Sequence, residues 1–262
     1  MKFITTVLFL AVSFFVNAQI SNITYITVPR ENSEEFLKLH EKFTNLSLSE
    51  ERKLEQSVIF AHSFAGDYTF AIYDLYANAE DMVGDAAIAQ KVMDKNIEAM
   101  KLSEELKEAM MKSYKTYSGM YAYNHSDQVR TSQWTKDLRF ENEDIDWTSK
   151  KIVVVSKYEV KFGMNKTFKD GLINGSVKNL KESGLCEMHF ATQHLYGSGA
   201  DFHTYQLYNS WTDFAAFEEG NLGGKMTDED KAFWSSIEAH EDEILTLIGS
   251  INPATKIFSY KN

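Results

Sequence analysis

His62 and His194 are the residues in this sequence best placed to do paired chemistry, because each is followed by the same pattern. After His62 come Phe70-Ala71-Ile72-Tyr73-Asp74-Leu75-Tyr76 and then Asp81; after His194 come Phe202-His203-Thr204-Tyr205-Gln206-Leu207-Tyr208 and then Asp213. Phe36 and Phe168 share the same offset without a gap. Two imidazoles at matched positions could face one cavity and hold a metal, a haem or a polar ligand group. The blander alternative, and the commoner one, is a pair of strand histidines bonded to nearby backbone beside a hairpin. His189, His194 and His203 cluster in sequence, but side chains alternate along a strand, so His189 and His194 point to opposite faces. A shared metal site, needing three or four converging ligands, is therefore not expected.

Tyr73, Tyr205 and His203 share one face parity and are the candidates for a pocket wall, together with His62 and His194. Tyrosine joins apolar area to one hydroxyl that seeks a partner, which suits a planar ligand. Tyr76 and Tyr208 lie three residues further on, so they face the other side; one pair packs against helices and the other lines the interior between the two sheets. Cys186 is the single cysteine, which rules out an intramolecular disulfide; its expected place is a buried strand position. His240 falls on an apolar stripe with Phe233, Ile237, Ile244 and Ile248 and reads as a core residue. No Ser-His-Asp order, carboxylate pair or Cys-His pair stands out, so the catalytic residues are unknown from sequence.

These residues must be positioned by two similar units. A repeat this long means two copies of one folded unit, since solenoid repeats run only ~20–50 residues. In the first unit, residues 19–125, the patterns predict a strand over 23–28, a helix from Ser33, strands over 57–64 and 68–76 around an Ala65-Gly66-Asp67 turn, helix from Asn78 to about Tyr117, and a short closing strand near Met120–Tyr123. In the second, residues 151–262, they predict a strand over 151–161, a helix over 165–183 stopped by Gly184, strands over 185–196 and 201–209, a helix capped by Ser210 with Asp213, a long helix from Asp228 to about Gly249, and a closing strand over 255–260. Residues 126–150 read as a connector. The fold class is α+β, two fused ferredoxin-like βαββαβ units.

The junction Leu207-Tyr208-Asn209-Ser210-Trp211-Thr212-Asp213-Phe214-Ala215-Ala216-Phe217 resembles that of antibiotic-biosynthesis-monooxygenase-type domains, of the dimeric α/β-barrel superfamily. Leu75-Tyr76-Ala77-Asn78-Ala79-Glu80-Asp81-Met82 is a degenerate version in the first unit, with Ala79 in place of the Trp. The resemblance implies that the two units pair sheet against sheet into an internal barrel within one chain, by tandem duplication. It implies three activities: ligand binding without assigned chemistry, cofactor-free monooxygenation, or haem handling. The haem-degrading branch is known for a first-strand Asn, a Trp and a helix His; Asn22 and His240 do not match that spacing. No cofactor is therefore expected, with haem as the alternative.

Residues 1–18 read as a secretory signal peptide: Lys2, an apolar run over Phe3–Val16, then small residues around Ala18. The expectation is an exported protein, periplasmic or secreted. A formal charge of −11 speaks against nucleic-acid and anionic-membrane partners. A small molecule is the partner class that remains; the oligomeric state stays open.

Overall fold

The computed structural model describes residues 19–221 and 224–261, so the segment read as a signal peptide lies outside the described residues. The first half runs β1 (Ile20–Ile26), α1 (Ser33–Ser47), β2 (Leu54–Phe64), β3 (Phe70–Tyr76), α2 (Ala79–Ala99), α3 (Glu104–Tyr123) and β4 (His125–Thr131). A connector carries the two-residue strand β5 (Phe140–Glu141). The second half runs β6 (Lys151–Val160), α4 (Asn165–Gly171), a π-helical stretch (Leu172–Val177), α5 (Lys178–Ser183), β7 (Cys186–Gly197), β8 (Phe202–Tyr208), α6 (Trp211–Asn221), α7 (Asp228–Ser235), β9 (Ile237–Asn252) and β10 (Ile257–Tyr260).

Each half orders its strands as a ferredoxin-like sheet, β4-β1-β3-β2 and β9-β6-β8-β7. The sheets join twice, β4 with β7 and β9 with β2, and eight antiparallel strands close into a barrel. Closure removes the unpaired edges that an open sheet would expose. The registers of the halves match at the same offset: Val58 faces Tyr73 as Phe190 faces Tyr205, and bulges fall between Leu54 and Gln56 and between Cys186 and Met188. Helix starts match too. Asn78 accepts from the Asp81 N–H at 2.9 Å, and Ser210 from that of Asp213 at 3.2 Å.

Three elements depart from the sequence reading. Residues 120–123 end the long helix α3, and the strand that completes the first sheet is β4, all but its first residue inside the stretch read as connector. The helix expected over 228–249 stops at Ser235, and β9 follows, so His240 lies on a strand and stacks on Tyr158 at 4.7 Å. The strand at 257–260 is present but pairs with the end of β9 beyond the reach of β6, not as the closing strand of the second sheet. Gly184 does end its helix, at φ +66°, the left-handed cap geometry. Among the described residues no helix is long and apolar enough to cross a membrane.

Candidate functional site

Inward residues alternate along every barrel strand. Ile23, Phe60, Tyr73, Val155, Tyr205 and Leu245 belong to one central cluster, buried between the two sheets. Tyr73 meets Tyr205 edge to face at 5.6 Å, and Tyr205 stacks on Phe190 at 4.4 Å. Such ring pairs stabilise beyond the area they bury. Tyr76 and Tyr208 face outward, under the helices, in separate clusters.

Above this layer, at the end away from the two hairpins, the barrel holds a cavity of about 160 Å³. Val58, Phe60, Tyr73, Phe190 and Leu207 wall it, and Trp147 of the connector reaches it from outside. Tyr73 is the one nominated residue on this wall. Its hydroxyl is buried beside those of Tyr25 and Tyr205, and burial followed by the neighbouring Tyr205 pushes its pKa well up, so the phenol stays protonated. Trp147, Phe190 and Leu207 were not singled out from sequence. Leu207 shares the face of Tyr205 on the same strand, whereas Phe190 sits on the neighbouring strand and its face is set by the register.

Toward the hairpins the interior turns polar. Arg130 is fully buried and donates to Thr192 Oγ1 at 2.8 Å and to the carbonyls of Ala200 and Asp201 at 3.1 and 3.2 Å. Lys157 pairs with Glu243 and Glu241, each at 3.1 Å. His203 lies here, with Nδ1 3.2 Å from the Tyr205 hydroxyl and Nε2 unpartnered. Burial, then the charges of Arg130 and Lys157, hold it well below the usual imidazole value, so it is neutral. His62 and His194 mark the two hairpins themselves. Nε2 of each contacts a carbonyl three residues on, Ala65 in one case and Gly197, at 2.9 Å, in the other. They brace turns and do not reach the cavity wall.

His189 leaves its strand on the far side from His194, stacks on Phe140 and contacts the Leu138 carbonyl. Among the described residues no group of three His, Cys, Asp or Glu could hold a metal. No histidine is among the described residues lining this cavity. Cys186 is buried, its thiol pushed up to about 12 by desolvation, which leaves it unreactive.

No protein-family model matches the chain, and no curated protein is similar to it. Solved structures are similar in fold. An "anthrone oxidase-like protein" aligns at 11% identity and TM-score 0.58, over 89% of this chain and 92% of its own. Two proteins each described as a "putative monooxygenase" also align. The one from Fusobacterium nucleatum subsp. nucleatum has 8% identity and TM-score 0.56, covering 95% and 97% of the two chains. The one from Lactobacillus acidophilus NCFM has 10% identity and TM-score 0.52, covering 87% and 93%. The chain has the dimeric α/β-barrel fold. At such identities the likeness speaks for architecture alone.

Proposed function

We propose that the protein binds a small planar, largely apolar molecule in the cavity at the barrel mouth, and that its two halves are copies of one ancestral unit. The observation that carries the binding reading is the wall itself: rings of Phe60, Tyr73 and Phe190 around a largely apolar space. A pocket that is mostly apolar with few polar groups fixes a flat ligand by area and orients it by one hydrogen bond. Anthrone is a suitable probe, having three fused rings and one carbonyl for the Tyr73 hydroxyl. It should raise the melting temperature of the full chain, and Leu207→Trp, which fills the cavity, should cancel the rise. An undiminished rise in the folded Leu207→Trp protein would refute the assignment.

The same hydroxyl favours a second reading, oxygenation of such a molecule without a cofactor, as the descriptions of the similar structures suggest for those proteins. Tyr73 would hold the ligand oxygen while the apolar wall excludes water. An oxygen electrode decides it: uptake with anthrone that Tyr73→Phe slows supports oxygenation, and a flat trace leaves binding alone.

A further inference from the structure

A second, larger cavity of about 380 Å³ lies outside the barrel, between the first sheet and helices α1 and α3. We propose that it binds a small organic ammonium ion, seated against the Asp74 carboxylate and the rings of Tyr114, Tyr117 and Tyr121.

Three tyrosines at positions 114, 117 and 121 put one face of α3 over the cavity, and Asp74 looks out from β3 beneath them. A carboxylate below aromatic rings is the arrangement that favours a soft cation, through charge and through the ring quadrupole. The nearby cation is already taken. Arg52 donates to Asp85 at 2.9 and 2.6 Å and to the Ser47 carbonyl at 3.0 Å. Asp74 thus carries a charge whose desolvation is offset chiefly by the Ser57 hydroxyl, and its pKa is pushed up to about 6. A bound cation would relieve that cost.

The second half shows that the fold does not need these groups. The residue matching Asp74 is Gln206, which accepts from the Tyr208 hydroxyl at 2.7 Å. The residue matching His40 is Leu172, 1% exposed in an apolar cluster. His40 itself lines the cavity and is 4% exposed; Nδ1 lies 3.0 Å from the Tyr117 hydroxyl, and Nε2 has no partner. A buried imidazole with an unmet nitrogen, where its counterpart is a packed leucine, is a polar atom left for something else to meet. Burial holds it down to about 4, so it stays neutral and does not fill the role of the cation. The excess of acidic residues, 38 against 27 basic, raises the local concentration of any cation near the surface.

Choline is the probe, titrated into the full chain by isothermal calorimetry at low salt. Its control is dimethylbutanol, the neutral isostere with carbon in place of nitrogen. Choline should bind saturably, with the alcohol about tenfold weaker and Asp74→Asn costing a similar factor. Ser118→Phe, which fills the cavity from α3 and leaves the carboxylate intact, should remove binding. Leu207→Trp at the barrel mouth should leave choline binding unchanged, which separates this site from the apolar one. No saturable heat with choline, equal binding of the alcohol, or full choline binding in either Asp74→Asn or Ser118→Phe would overturn the proposal.

Discussion

Phe36 and Phe168 occupy matched points beneath the helices of the two halves, and both are wholly buried. What surrounds them differs. Phe168 is ringed by Phe202 at 4.9 Å, Tyr158 at 5.1 Å and Phe233 at 5.5 Å, an aromatic block on a helix that runs on into a π-helical stretch. Phe36 has Phe70 at 5.3 Å on one side, but His40 and Tyr117, which line the polar cavity, on the other. One backbone plan thus supports a sealed core and a core with a hydrophilic chamber. The difference teaches that the barrel's strand pairing defines the fold, while the layer between sheet and helices is open to variation.

Cutting both rings away tests that contrast with the largest effect. Phe168→Ala should cost about 4–5 kcal/mol, because its rigid aromatic neighbours cannot collapse into the void. Phe36→Ala should cost about 3 kcal/mol, since water from the adjacent chamber can enter the space. Urea unfolding of the two variants measures both. Equal losses, or the reverse order, would mean the two cores are alike in practice.

Strands β1 to β3 and β6 to β8 were legible because β-branched and aromatic runs are bounded by Pro29 or by Gly turns, and because one stretch repeats the other. Parity put Tyr73, Tyr205 and His203 on one face, and barrel closure decides that this face turns inward. β9 was hidden because both of its faces are covered from Glu243 onward. Glu243, Leu245 and Leu247 point inward while Ile244 and Ile248 pack outward, and a strand buried on both sides imitates the 3–4 spacing of a helix. β4, His-Ser-Asp-Gln-Val-Arg-Thr, is too polar to announce itself, since its inward side chains at 128 and 130 serve a polar interior. The chamber under α3 was invisible for another reason. It exists only because His40, Asp74 and the α3 tyrosines converge from three elements distant in sequence.

A smaller change sharpens the comparison by making the first half resemble the second. Asp74→Asn replaces the desolvated carboxylate with the amide type found at Gln206. The folded-state pKa of Asp74, about 6, lies above the unfolded value. Its protonated form is therefore the one folding favours, and the stability this confers is full at about pH 4 and lost as pH rises through about 6. The variant lacks that loss. It should match the native chain near about pH 4 and exceed it by about 1–2 kcal/mol at about pH 8, a figure reduced for solvent screening in the cavity. Thermal unfolding across that range checks the sign. A variant less stable at high pH would show that the carboxylate already has a strong partner.

The smallest effect concerns the feature most conspicuous in the sequence. His62 and His194 each brace a hairpin through one contact to a carbonyl three residues ahead, and both sit near the solvent. A hydrogen bond of this kind contributes about 0.5–1 kcal/mol. His62→Ala and His194→Ala should each lose that much, equally, with no change in the response to anthrone or to choline. The repeat of the histidines is then explained by the repeat of the turns, one device for each hairpin. A loss of ligand response in His194→Ala, with no such loss in His62→Ala, would separate the halves at the one point where their geometry agrees best, and would return the histidine to the list of binding residues.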